Sequence, residues 1–293
     1  MIYVRTAVLA SLFIAATAAF VAPSSLAAYS RSGPYLDYGF QPRLPNPVIR
    51  LGREGVPEVR YSDGWHRNPV TVAEWGLRHH AYFLVSRRSR DARRMRRAAD
   101  WLVRNQRRGV WHYDFSFTLA GIGDTLRPPW ISAMAQGQAM SLLTRAYRIT
   151  GRAAYLRAAK RALTPFRHTV AGGGVVRDLR GSPFYEEYPT RRPSYVLNGF
   201  MFTLLGLYDL APWSRRAATL YDRGRVTLAK AVALYDAGTT TYYHLGHITV
   251  GPGAAFLADR GYNRLHVLLL DALDWVRPNL TFRQWRDRFA SYG

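Results

Sequence analysis

The chain has 293 residues, no cysteine, and 41 Lys and Arg against 19 Asp and Glu, a formal net charge of +22. That length can bury a substantial core as one large domain or two small ones, and the lack of cysteine excludes a disulfide framework and a lipoprotein thiol. Hydrophobic residues at 48% and aromatic residues at 14% exclude an intrinsically disordered chain. Lys160 and Lys230 are the only lysines, so the positive charge is carried by arginine, whose planar fork binds carboxylate, sulfate or phosphate bidentately.

Residues 1–27 read as a secretory signal: Arg5 precedes an apolar run from Ala7 to Val21, and Ser25-Leu26-Ala27 offers small residues for cleavage. The run of about 15 apolar residues falls short of the roughly 20 a membrane span needs, although an uncleaved anchor is the alternative. Export points the arginines at an acidic polysaccharide or an anionic envelope, not at nucleic acid. Residues 28–68, rich in Pro, Gly and Tyr, read as an irregular arm with a β-hairpin around Val56 to Tyr61. An arm of about 40 residues is too small to fold alone and is expected to pack on the domain formed by residues 69–293.

That domain reads as about eight helices in successive hairpins. The first opens at Asn68-Pro69; the second, capped by Ser89 or Asp91, runs to about Arg107 with Met95, Ala98, Ala99, Leu102 and Val103 opposite a basic face. An aromatic loop from Gly109 to Pro129 leads to a helix from Ile131 to Thr150, ended by Gly151 and followed by another from Arg152 to about Phe166. A hairpin-like excursion, Val175 to Tyr188, delivers Glu186, Glu187 and Tyr188 to a loop, since Pro189 and Pro193 disfavour helix before them. The most apolar helix then starts near Ser194 and runs to Leu210 with Asn198 as its polar exception. A long helix from Trp213 to about Tyr235, a polar loop from Thr239 to Arg260, and helices over Tyr262–Val276 and Thr281–Phe289 complete the chain. This pattern fits a mainly α, α/α-toroid fold and equally a plain helical repeat.

Glu-Glu-Tyr-Pro-Thr at 186–190, Ser-Tyr-Val-Leu-Asn-Gly-Phe at 194–200 and Leu-Leu-Gly-Leu-Tyr-Asp-Leu at 204–210 resemble the C-terminal domain of D-glucuronyl C5-epimerases. Further landmarks keep family order: Gly-Val-Pro-Glu-Val-Arg-Tyr at 55–61, Asn-Pro-Val at 68–70 with His79, Trp-Ile-Ser-Ala-Met-Ala-Gln-Gly-Gln-Ala at 130–139, Leu-Tyr-Asp at 234–236, Tyr243, and Tyr262 with His266. The resemblance implies an α/α-toroid enzyme that inverts C5 of uronic acid residues in a polysaccharide, without a cofactor, by removing a proton alpha to a carboxylate and returning one on the other face. It implies acid and base duties for Glu187, Tyr188, Tyr243 and Tyr262. A free tyrosine has a pKa near 10, so a basic tyrosine is expected to have cations or donors beside it.

Trp130, Gln136, Gln138 and Asn198 are candidates for sugar contacts, with loop tethering or core packing as their alternative role. Where the family has Tyr-Asp-Leu-Arg-His, this chain has Tyr243-His244-Leu245-Gly246-His247, so a carboxylate-binding arginine is replaced by Gly246. Asn263 also stands where a histidine is usual. Arg264 and Arg180 are the candidate substitutes for the missing charge. His244 and His247 alone are too few for a zinc site, and none is expected. Glu186 and Glu187 cannot flank one glycosidic bond, because adjacent residues in an extended loop point to opposite sides. A polysaccharide lyase, which shares the C5 proton removal, and a catalytically degenerate binder of anionic glycan are the competing readings.

Overall fold

The computed structural model describes residues 29–39 and 42–292; the expected signal lies outside these. The arm contains a three-stranded antiparallel sheet, β1 (Ile49–Leu51), β2 (Pro57–Tyr61) and β3 (Gly64–His66), in which Val59 faces Ile49 on one side and His66 on the other. The expected hairpin thus gains a third strand.

Helix α1 (Pro69–Ser86) starts where the Asn68 side chain accepts the N–H groups of Val70 and Thr71, with proline in the first turn. Helix α2 (Ser89–Asn105) buries Met95, Ala98, Ala99 and Leu102. Asp91 does not cap it, as the sequence suggested; buried against α1, its carboxylate meets His79 Nδ1 at 2.8 Å. The aromatic loop carries a two-stranded ribbon, β4 (Phe117–Thr118) and β5 (Thr125–Leu126). Helix α3 (Ala133–Thr150) is capped by the Ser132 hydroxyl and stopped by Gly151 at φ 67, a left-handed conformation glycine adopts without strain. Helix α4 (Ala153–Arg161) is shorter than expected, the chain continuing as a 3-10 turn over Thr164–Arg167, where Pro165 has no N–H for a longer α-helix.

A tight hairpin, β6 (Val176–Leu179) and β7 (Ser182–Tyr185), precedes α5 (Leu197–Leu210). That helix begins three residues later than expected because Tyr195 is left-handed at φ 51 and Val196 is extended. Helix α6 (Arg215–Ala231) is capped by Ser214; a one-turn α7 (Gly246–Thr249), not foreseen, interrupts the next loop. Helices α8 (Arg260–Val276) and α9 (Leu280–Ala290) are capped by Asp259 and Asn279.

The helices pack in consecutive pairs, α1 with α2, α3 with α4, α5 with α6, and α8 with α9. Helices α1, α3, α5 and α8 are also neighbours in that order. They form an inner layer, of which α3 and α5 are almost wholly buried, while α2, α4, α6 and α9 carry arginines outward. The fold is therefore mainly α, with paired inner and outer helices as in an α/α toroid. At the α3–α5 crossing, Gly206 faces Gly137 so closely that a Cβ on residue 206 would lie 2.5 Å from the Gly137 Cα. Backbone meets backbone there, which only glycine permits.

The arm is sewn into this bundle. Arg145 and Asp209 form a fully buried ion pair between α3 and α5. Tyr29 donates its hydroxyl to Asp209 at 2.7 Å, and Arg145 donates to the Ser30 carbonyl at 2.8 Å. Tyr35 and Leu36 join the core, and Tyr38 donates to the carboxyl of Glu74 on α1.

Candidate active site

The loop after β7 places two acids back to back. The Glu186 carboxylate accepts the Ser194 hydroxyl at 2.7 Å and the N–H groups of Ser194 and Tyr195, and faces Arg177 Nε at 3.2 Å. Its main-chain carbonyl accepts the first free N–H of α3, that of Ala133, at 3.0 Å. Glu186 therefore ties the hairpin, α3 and the entry to α5 together. Glu187 points the other way, against Gly199: a Cβ on residue 199 would lie 2.6 Å from the Glu187 Cβ and overlap its carboxyl oxygen. The bare glycine of the Asn-Gly-Phe motif is what lets this carboxyl lie on the helix.

Tyr243 comes from the opposite loop. Its N–H donates to the Phe256 carbonyl at 2.8 Å, and its own carbonyl accepts the N–H of Leu197 at 3.1 Å, the start of α5. Tyr262 sits in the first turn of α8, its N–H bound to the Asp259 carboxylate at 2.8 Å. Other landmarks hold these loops. Tyr235 donates its hydroxyl to the Tyr195 carbonyl at 2.7 Å, and the ring of His266 meets the Thr241 hydroxyl at 2.7 Å.

These segments converge. Tyr188, Tyr243 and Trp130 lie in one buried cluster with Tyr113 and Phe115, and Tyr61, Phe117, Phe256 and Tyr262 pack on it. The Tyr243 and Tyr262 rings are edge-on at 5.0 Å; Tyr188 stacks on Phe117 at 5.0 Å and tilts against Trp130 at 6.0 Å. The Glu187 carboxyl hydrogen-bonds the Tyr188 side chain, and the Tyr243 hydroxyl bonds the side chains of Tyr188 and Asn198. Glu187, Tyr188, Tyr243 and Asn198 thus form one continuous polar chain inside an aromatic shell.

The electrostatics differ from the sequence expectation. Burial raises Tyr188 and Tyr243 well above the usual tyrosine pKa, the Glu187 charge pushing the same way, and Tyr262 is raised by the same two causes. Glu187, Asp259 and Glu74 all push Tyr262 the same way as burial does. These tyrosines are held as acids. Burial lifts Glu187 to about 8, opposed by the Tyr188 hydroxyl and reinforced by Glu186, which makes it the member of the chain that titrates nearest neutrality.

Of the other candidates, Asn198 joins the cluster, with its Oδ1 unpartnered. Trp130 lies inside it, stacked on Tyr113 at 3.8 Å, its indole N–H donated to the Phe115 carbonyl. Gln136 does not reach it: its amide bridges the carbonyls of Gly109 and Ala162 and its oxygen takes the Trp111 N–H, the tethering role. Gln138 donates to Glu74 at 3.4 Å. Arg180 sits exposed and left-handed at the tip of the β6–β7 turn, away from the tyrosines. Arg264 is exposed on α8, two residues and about 200° of helical rotation beyond Tyr262.

Gly246 explains the missing arginine sterically, because a Cβ there would meet His244 Cε1 at 2.7 Å and the Ala254 carbonyl at 2.8 Å. His244 itself is buried, its Nδ1 accepting the Gly246 N–H at 3.0 Å and its Nε2 donating to the Ala120 carbonyl at 2.8 Å. Both ring nitrogens are thus taken up in backbone contacts. His247 stacks on Tyr242. Asn263 is also structural, donating to the Phe289 carbonyl. The residue overlooked in the sequence is Glu74: an acid within the apolar run Val72 to Leu77 of a helix was the signal for it.

A helical-hairpin scaffold here encloses a run of carboxyl and tyrosine side chains, groups that can give and take protons. The chain belongs to the D-glucuronyl C5-epimerase C-terminus family, whose sequence pattern matches residues 104–291. It is 36% identical over 224 residues to the D-glucuronyl C5-epimerase of Caenorhabditis elegans, covering 71% of this chain and 36% of that protein. It is 34% identical over 145 residues to the uncharacterized protein MJ1128 of Methanocaldococcus jannaschii, 47% of this chain and 46% of that one. The chain thus spans about a third to a half of the length of these curated relatives.

Proposed function

We propose that the protein is an epimerase that inverts C5 of uronic acid residues in an acidic polysaccharide. The observation that carries this reading is the convergence of Glu187, Tyr188, Tyr243 and Tyr262, drawn from three separate segments, into one buried cluster. Ionised Glu187 takes the C5 proton as the C–H bond breaks, and the electron pair passes into the adjoining carboxylate as an enolate. A tyrosine hydroxyl returns a proton to C5 from the opposite face. The hydrogen-bonded run from Glu187 through Tyr188 to Tyr243 then moves the proton back, so no net proton is consumed. Family membership supports the same chemistry, as does the name of the nematode relative. On this reading residues 1–27 export the chain, residues 28–68 form its arm, residues 69–293 carry the activity, and the arginine-rich surface draws in the anionic polymer.

The test is incubation with glucuronic-acid polymers in deuterated water. Deuterium at C5 with the polymer intact supports the epimerase; unsaturated chain ends identify a lyase; binding with neither leaves a glycan-binding protein and sinks the proposal.

A further inference from the structure

Enolate formation needs a group that accepts the growing charge on the substrate carboxylate, and losing such a group costs about a hundredfold or more in rate. The position where the family resemblance implies an arginine is Gly246, and it is sterically closed to a longer side chain. A buried acid on α1 offers another kind of donor.

We propose that Glu74, as a neutral carboxylic acid, donates the hydrogen bond that holds the substrate carboxylate in place of a cation; this rests on the epimerase reading above. Glu74 is 3% exposed. Its Oε1 accepts both the Tyr38 hydroxyl and the Gln138 amide, while its buried Oε2 has no partner. With Oε1 taken up by two donors, the proton of the neutral acid would sit on Oε2 as an uncommitted donor.

The surroundings keep that proton in place. Tyr35 and Tyr38 face Glu74 from the arm, Gln138 from α3, Tyr113 from the aromatic loop, Glu187 from the loop after β7, and Tyr262 from α8. None is a cation; Arg145, which also acts on Tyr35, is committed to Asp209. Burial, opposed by the Tyr38 hydroxyl and reinforced by the Glu187 charge, lifts Glu74 to about 8. On this proposal the two acids divide the work: an ionised Glu187 acts as base, and its charge favours the protonated form of Glu74. As the enolate forms, the Glu74 O–H meets a stronger acceptor and its bond tightens, with no reagent consumed. The unpartnered acceptors Glu187 Oε2, Asn198 Oδ1 and Gln138 Oε1 complete a surface that calls for sugar hydroxyls. These oxygens are out of contact with solvent.

The chain has five glutamates, so carboxyl-labelled glutamate gives five resolvable carbon NMR signals. The one lost in Glu74→Gln is expected to titrate near pH 8. A glucuronic-acid oligosaccharide, used as binding probe, should bind wild type more weakly as pH rises through that titration. Glu74→Gln, which keeps a donor, should weaken binding less than Glu74→Ala, which should lose about tenfold or more. Its C5 exchange should likewise exceed that of Glu74→Ala. Titration of this carboxyl near pH 4.5, or Glu74→Ala binding and exchanging like wild type while folded by circular dichroism, overturns the proposal. A wild-type enzyme with no C5 exchange at all instead overturns the epimerase reading, whatever the carboxyl does.

Discussion

Gly199 lies under the Glu187 carboxyl with no room for even one more carbon between them. A helix position and a loop side chain are thereby locked in register, and Gly199→Ala is expected to push the carboxyl off its seat. Overpacking of this kind costs about 1–3 kcal/mol. The variant should unfold at lower denaturant concentration and exchange C5 far more slowly; wild-type exchange in a folded Gly199→Ala protein would count against Glu187 as base.

Tyr188→Phe removes one hydroxyl from the middle of the polar chain and leaves the stack on Phe117 intact. Loss of a positioned acid or base costs on the order of a hundredfold to ten-thousandfold. Deuterium incorporation should fall by that order while the thermal midpoint moves little. A large stability loss with unchanged turnover per folded molecule would mark Tyr188 as packing only.

Asp209→Ala strands Arg145 as a buried unpaired charge and removes the acceptor for Tyr29. The cost of such a change is about 3–5 kcal/mol. Because the same pair fastens the arm, limited proteolysis should cut before Asn68 early in the variant and late in wild type. Equal cutting in both would mean the arm is held by its aromatic contacts alone.

Stability should peak in mildly acidic solution. Glu74 and Glu187, raised by burial to about 8, contribute stability that is full below their unfolded range near 4.5 and lost as pH rises through 8. His79, His80 and His266 are lowered by burial to about 4, 3 and 3, so their contribution is full above about 6.5 and lost on acidification. Urea unfolding should show a decline from pH 6.5 to 8.5 of up to about 3 kcal/mol. Glu74→Gln should flatten that decline; an unchanged slope would mean that Glu74 is not buried as an acid.

The helices were legible because their signals are local: Asn68-Pro69, Ser132 and Gly151 act on backbone within a turn of themselves. The acid and tyrosines were legible through their motif, and the opposite facing of Glu186 and Glu187 through strand geometry alone. What stayed hidden was long-range. Nothing local distinguishes Gln136, which bridges two loops, from Gln138, which touches Glu74. The net charge of +22 suggested cations beside the tyrosines, yet the arginines decorate the outer helices and desolvation rules the interior. The start of α5 slipped because a left-handed Tyr195 is imposed by the buried Glu186 carboxylate, a partner nine residues away.

The glycine crossing of α3 and α5 also decides what can move. Two main chains in direct contact have no rotamers to exchange, so the pair behaves as a fixed spine, and Gln138 and Asn198, borne on it, keep constant spacing. On the proposed epimerase reading, the groups carried on this spine are held in alignment by main chain rather than by side-chain packing, so core substitutions elsewhere are expected to leave their spacing unchanged.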